Sequence, residues 1–194
     1  MNKKICILGA GGIGSCVSAS MTDAGCDITL VDQWADHINK IKSDGLRVIT
    51  KEEDKTRKVN AFHLSDLATF EPKFDYIFMA VKSYDTQWMA KYASVYLRDT
   101  GTLIGLQNAF NDDLNAEMIG RDRIIGSVVE LSCEAFIPGI VQRNTVPTGT
   151  WFAVGELDGS KTERLLEIQS LMKLVGNCDI TDNIYGAKWT KLIA

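Results

Sequence analysis

Apolar positions along the chain change period in a regular way, and the period names the element. Ile5–Leu8 is an unbroken apolar run, which suits a strand buried on both faces. Ile13, Val17, Met21 and Ala24 then recur at helical spacing, and Gly25 stands where a C′ glycine ends a helix. A second strand over 27–31 ends at Asp32 and leads to a helix over 34–43 with Ile38 and Ile41 inward, stopping before Gly45. Strands are predicted at 46–50 and 56–62, around a solvated charged turn over 51–55. The most hydrophobic strand, 74–81, precedes a helix over 86–97 whose inner face is Met89, Ala93, Tyr96 and Leu97; Trp88 is assigned to core or groove packing. A strand at 102–106, a short helix over 111–119 and a buried strand over 124–131 complete this part. The repeated alternation predicts an α/β, doubly wound parallel sheet with right-handed crossovers.

The rhythm then changes. Residues 134–144 read as a hairpin turned at Pro138-Gly139, and 150–155 as a further strand, so an antiparallel extension is expected at one edge of the sheet. An amphipathic helix over 162–175 carries Leu165, Ile168, Met172 and Val175 and is closed by Gly176. A short strand at 178–181 precedes Asp182 or Asn183, either of which is suited to cap a helix from Ile184 onward. That helix meets no stop signal before Ala194. The expectation is a domain over 1–181 and, over 182–194, the start of a truncated all-helical domain.

The first turn carries the chemistry. Gly9, Gly11 and Gly14 stand in G-x-G-x-x-G order between a strand and a helix. The first glycine permits a sharp turn, the second a close approach of backbone to a pyrophosphate, and the third tight packing of helix on strand. The helix N-terminus adds free N–H groups and a positive dipole end. Asp32 follows Gly14 by about 18 residues, where the dinucleotide fingerprint wants a carboxylate for the ribose hydroxyls. This is a Rossmann-type pattern, and Asp32 favours NAD(H), because a 2′-phosphate there would meet like charge.

Composition narrows the partners. Of 194 residues 45% are hydrophobic and 24% charged, with formal net charge −4 and the signs interspersed. A nucleic acid or an anionic membrane needs a clustered basic surface, so neither is expected as partner. No apolar run approaches a membrane span or a signal segment, which points to the cytoplasm. The five cysteines are scattered without C-x-x-C spacing and read as buried hydrophobes, and His37 and His63 have no ligand-spaced partner, so no metal site is expected.

Ligands of such sheets bind beyond the carboxyl ends of the strands. The polar groups there are the loop Gly9, Ala10, Gly11, Gly12, Ile13 and Gly14, then Asp32 and Gln33, Lys82 and Ser83, and Gln107 and Asn108. Together with Val81-Lys82, Gln107-Asn108 and the W-x-K-L run Trp189-Thr190-Lys191-Leu192, this order resembles the ketopantoate reductase (2-dehydropantoate 2-reductase) family over essentially the whole chain. The resemblance implies a dinucleotide-binding domain followed by a helical domain that closes over substrate. It also implies reduction of 2-dehydropantoate to (R)-pantoate, in pantothenate and coenzyme A biosynthesis, and a possible homodimer through the helical domain. Position by position, Lys191 matches the catalytic lysine, Asn108 the asparagine at the nicotinamide ribose and substrate, and Lys82 a lysine of the cofactor groove. Val81 and the glycine loop match backbone contacts to ribose and pyrophosphate. Three departures stand out: Ala109 where a glycine is usual, Asp32-Gln33-Trp34 where NADP(H)-using members tend to place arginine, and the C-terminal helical domain, which is expected to be absent from this chain.

Other readings are an NAD-dependent reductase of another branched 2-oxo acid and a dinucleotide sensor without catalysis. Lys191 separates the last from the rest, since a sensor has no need of an ammonium aimed at the nicotinamide. A glycine-loop methyltransferase is disfavoured by the complete fingerprint. Lys188 is the rival to Lys191, and on spacing alone either reads as a solvated helix-surface lysine.

Overall fold

The computed structural model describes residues 3–193. In chain order the elements are β1 (Ile5–Leu8), α1 (Gly12–Asp23), β2 (Ile28–Asp32), α2 (Ala35–Asp44), β3 (Leu46–Ile49), β4 (Asp54–Arg57), β5 (Asn60–His63), α3 (Leu67–Phe70), β6 (Phe74–Met79), α4 (Thr86–Tyr96), β7 (Leu97–Gly105) and α5 (Asp112–Ile119). They continue with β8 (Ile124–Glu130), β9 (Cys133–Ile137), β10 (Ile140–Arg143), β11 (Trp151–Glu156), α6 (Glu163–Met172), β12 (Asn177–Ile180) and α7 (Ile184–Ile193).

Eight strands form one sheet in the order β12-β11-β8-β7-β6-β1-β2-β5. From β8 to β5 all pairings are parallel, and β11 runs antiparallel to β8 with β12 parallel beside it. Both faces of the sheet are covered. Alternate residues of one strand therefore join two different cores: Ile5 and Ile7 of β1 pack with α1, α2 and α6, whereas Cys6 and Leu8 pack with α4 and α7. Tyr76 and Phe78 of β6 divide from Ile77 and Met79 in the same way.

The fold corrects the sequence reading at several points. The run 56–62 is two strands, because the chain leaves one sheet for another at Lys58-Val59. Polar β4 pairs with β3, and β5 joins β2. Asp54 and Lys55 thus belong to a strand, and Arg47 on β3 binds Asp54 through two nitrogens, at 2.8 and 2.6 Å. The hairpin β9–β10 does not extend the main sheet. It makes a second sheet, β4-β3-β10-β9, in which Val48 and Val141 close over α1. The antiparallel edge of the main sheet is instead supplied by β11. Trp88 is 42% exposed and donates its indole N–H to Asp85 at 2.8 Å, so it is not part of the core.

Helix ends follow local chemistry. Gly25, at φ 81°, closes α1 as Gly25 N–H donates to Thr22 O and Cys26 N–H to Met21 O. Thr162 caps α6 through Leu165 N–H, and of the two residues offered for α7 it is Asn183 whose side chain accepts from Gly186 N–H at 2.9 Å. Ile184, the first residue of α7, is buried in the same core as β6 and β8, so the start of α7 packs on the sheet.

Candidate functional site

From β1 the chain runs outward through β2 to β5 and then crosses back to place β6 on the other side of β1, so the strand order reverses there and the cleft opens beyond the carboxyl end of β1. Gly9 turns off β1 at φ 109°; a Cβ there would stand 2.8 Å from the Ala80 carbonyl carbon. A Cβ on Gly14 would fall 1.8 Å from Gly9 O, so only glycine lets α1 start this close to the strand. A Cβ on Gly11 would meet nothing within 4 Å: the middle glycine borders open space. The first amide of α1 with an internal partner is that of Ser15, bonded to Gly11 O, and no side chain caps the helix. The unpartnered first-turn N–H groups and the empty space at Gly11 fit a pyrophosphate. Gly11, Gly12, Ile13, Val81, Lys82 and Asn108 line a groove of about 110 Å³ beside them.

Asp32, at the end of β2, is half-buried. One carboxylate oxygen accepts from Ala10 N–H at 2.5 Å and the other from Trp34 N–H at 2.7 Å, which fastens the glycine loop to the second strand. Each oxygen keeps a further lone pair for a ribose hydroxyl. Gln33 is exposed, and its carbonyl oxygen lies 3.0 Å from His63 Nε2. Trp34 stacks on buried His37 at 4.8 Å, and His37 Nδ1 accepts from Gly139 N–H at 2.9 Å. Burial holds the His37 imidazole below its ordinary pKa, against the pull of the Asp32 charge. It is therefore a neutral strut between loop and hairpin.

Asn108 follows β7 and meets α7. Lys191 Nζ donates to Asn108 Oδ1 at 2.5 Å, and both border a second cleft, of about 370 Å³, with Ile13, Glu130, Ser132 and Thr145. Partial burial lowers the Lys191 pKa, the nearby Lys188 charge lowers it further, and Glu130 opposes both. Lys82 and Ser83 lie across the groove and are exposed.

Lys188 departs from its expected surface position. It is 4% exposed, its ammonium is bonded to the buried carboxylate of Asp112, and it reaches Ala109 O at 3.4 Å. Ala109 itself keeps φ 65°, the left-handed turn that a glycine would adopt without strain.

A buried amide and hydroxyl network that sequence reasoning missed holds Asn108 in place. Gln107 Nε2 donates to Val81 O at 3.1 Å and to Thr86 Oγ1 at 2.7 Å; Thr86 donates to Ser83 O at 2.8 Å. Asn111 Nδ2 donates to Asn108 O at 2.7 Å and to Ser83 Oγ at 3.0 Å. The backbone of Asn108 is thereby pinned while its side chain stays in the cleft. The only sequence signal was the density of amides from 107 to 115. Glu130, Ser132 and Thr145 gave none, because two of them lie in connections whose path the hairpin decides.

Among the described residues no group of histidine, cysteine and carboxylate side chains could hold a metal ion, and no helix is long and apolar enough to cross a membrane.

A glycine loop at the switch point of a doubly wound, mostly parallel sheet defines a Rossmann-type domain. Residues 5–158 match the model of the family described as ketopantoate reductase PanE/ApbA, and the chain belongs to that family. It is 32% identical to a 2-dehydropantoate 2-reductase of Pyrococcus horikoshii, over 98% of this chain and 60% of the relative. Among solved structures, a 2-dehydropantoate 2-reductase from Geobacter metallireducens has the same fold, with TM-score 0.88 and 23% identity over 98% of this chain and 62% of that one. So has a D-mandelate dehydrogenase solved with NADH and anilino(oxo)acetate, with TM-score 0.84 and 20% identity over 97% and 60%. The chain spans about three fifths of the length of the curated relatives it matches.

Proposed function

We propose that this chain binds a nicotinamide dinucleotide and serves the reduction of a 2-oxo acid, with 2-dehydropantoate to (R)-pantoate as the reaction its relatives favour. The observation that carries this reading is the bond from Lys191 to Asn108 at the junction of the glycine-loop groove and the second cleft.

A bound reduced nicotinamide supplies the hydride. The chain's own residues do the rest. The free N–H groups of α1 and the open side of Gly11 receive the pyrophosphate, and Val81 and Lys82 border the dinucleotide along the groove. Asn108 orients ribose and substrate. Lys191 is the cation that faces the carbonyl oxygen, where negative charge develops as the carbon is reduced, and it delivers the proton that oxygen needs. Its lowered pKa suits it to give up that proton.

The cofactor preferred in this reading is NAD(H), with NADP(H) the alternative that the family resemblance favours. A 2′-phosphate next to the Asp32 carboxylate meets like charge, worth up to roughly 4 kcal/mol for a unit pair at 4 Å and an effective dielectric near 20. A second reading, NAD-dependent reduction of another branched or aryl 2-oxo acid, is supported by the NADH-bound D-mandelate dehydrogenase of like fold.

The test is calorimetry of the chain with NADH and NADPH, beside turnover of 2-dehydropantoate and of an aryl 2-oxo acid. The expected outcome is tighter NADH binding with slow turnover. Hydride transfer needs water excluded and the carbonyl held in near-attack geometry, and the proposed second wall belongs to a helical domain beginning near residue 182. Tighter NADPH binding refutes the cofactor assignment, and absence of any dinucleotide binding refutes the whole reading.

A further inference from the structure

Two of the five cysteines meet beside the glycine loop, in an arrangement that dinucleotide binding does not use. Cys133 opens β9 and is partly exposed. Its Sγ sits 2.8 Å from where a Cβ on Gly12 would stand, so the thiol fills the space that glycine leaves at the start of α1. Cys16 is one helical turn beyond Gly12, on the same face and buried, and Cys133 packs against the core cluster that holds it. Arg143 lies directly across from Cys133 in the β9–β10 ladder. The residue is 4% exposed and its guanidinium bonds Thr145 O, Ser20 Oγ, Thr150 Oγ1 and Val175 O, with no carboxylate partner among the described residues. A buried cation with only neutral partners favours a nearby anion, and a thiolate is the anion at hand.

We propose that Cys133 is an oxidation-sensitive thiol with Cys16 as its resolving partner, forming an intramolecular disulfide that ties β9 to the glycine-loop helix.

The two sulfurs divide the work. The neighbouring Cys16 thiol holds the Cys133 thiol below its ordinary pKa, helped by the charges of Arg143 and Lys82 against burial and Glu134. Cys16 is pushed up by its Cys133 neighbour and by burial, so it stays a thiol. With hydrogen peroxide as the oxidant, the Cys133 thiolate attacks one peroxide oxygen, the O–O bond breaks, and a sulfenic acid and hydroxide form. The Cys16 sulfur then attacks the sulfenic sulfur. The S–S bond forms as the S–O bond breaks, and the Cys16 proton leaves with the hydroxide as water, so two thiols and one peroxide give one disulfide and two waters. A cavity of about 260 Å³, lined by Cys16, Ser20 and Arg143 among others, gives the helix side room to adjust as the sulfurs close to bonding distance. Burial raises the pKa of Cys6, Cys26 and Cys178. They are the internal controls.

The experiment is titration of the reduced chain with hydrogen peroxide, followed by peptide mass spectrometry. The expected result is a Cys16–Cys133 linkage, two hydrogens lighter and reversed by dithiothreitol, before Cys26 changes. In Cys16→Ser the expected product is a dimedone adduct on Cys133. A second measurement on the unaltered chain guards against a variant that does not fold: iodoacetamide should alkylate Cys133 at least about ten-fold faster than Cys26 at neutral pH. Equal or faster reaction of Cys26, or linkage only after addition of denaturant, overturns the proposal.

Discussion

Lys188 on α7 and Asp112 at the start of α5 form an ion pair whose side chains are only 5% and 1% exposed. The carboxylate fits because Gly105 and Gly126 have no side chains: a Cβ on either would stand 3.3 Å from Asp112 Oδ1, the oxygen that Lys188 does not bond and that has no hydrogen-bond partner among the described residues. Removing the cation strands a buried charge. Lys188→Ala should therefore destabilise the chain by about 3–5 kcal/mol, read as a lower urea midpoint, where a surface lysine would leave the midpoint unchanged.

Lys191, three residues on, should behave in the opposite way. Its ammonium is partly exposed and, among the described residues, bonds only Asn108, so Lys191→Ala should leave the urea midpoint within about 0.5 kcal/mol. In the active protein it should lower kcat by about two to four powers of ten. If Lys188→Ala gave the larger kinetic loss at equal stability, the proton donor would be assigned one turn of helix too late.

The pH profile follows from the same lysine. The acid form is the one that donates, so kcat/KM should fall as pH rises through the Lys191 pKa. Burial and Lys188 hold that pKa below the ordinary lysine value. Glu130 is the group that opposes this lowering, so Glu130→Gln should move the falling limb to still lower pH. A limb unmoved by Glu130→Gln and absent in Lys191→Ala would leave Lys191 as donor and remove Glu130 from its surroundings.

Ala109 offers a test of strain. It holds φ 65° with a Cβ, which costs roughly 1–2 kcal/mol, partly offset in the variant by the greater freedom of unfolded glycine. Ala109→Gly should stabilise the chain by about 0.5–1 kcal/mol and raise Tm by about 1–4 °C. A lower Tm would mean that the turn is not strained.

Asp32 carries two loads, and Asp32→Asn separates them. The amide keeps one acceptor oxygen, so either Ala10 N–H or Trp34 N–H loses its partner, while the repulsion of a 2′-phosphate disappears. NADH should bind about ten-fold more weakly and NADPH no worse, as measured by calorimetry. Equal loss for both cofactors would assign Asp32 to loop structure alone.

The parallel sheet was legible because its strands are buried on both faces and its helices end at glycines such as Gly25 and Gly45. The hairpin was legible as a hairpin but not by its destination. What draws β10 away from the main sheet is Val141 meeting Val48 across more than ninety residues, and no local period reports such a pairing. At the cleft, residues fixed by turn geometry, such as Gly9 and Asp32, could be read directly. Lys188 could not. It lies between Ala187 and Trp189 on a short amphipathic helix, and only the distant Asp112 explains why a lysine is buried there. The Gln107, Thr86 and Asn111 network escaped for the same reason, since its members come together only when β6 and β7 pair.

The second sheet also sets the order in which the chain can mature. The helix that begins at the glycine loop is roofed by strands from 46–57 and 133–143, so part of its roof is missing until more than a hundred further residues have been made. Closure of so long a loop is slow relative to helix formation. A nascent chain released before residue 143 holds the whole G-x-G-x-x-G sequence yet lacks the cover that keeps its helix in position. Competence for ligand is then a late property of a segment that is synthesised first.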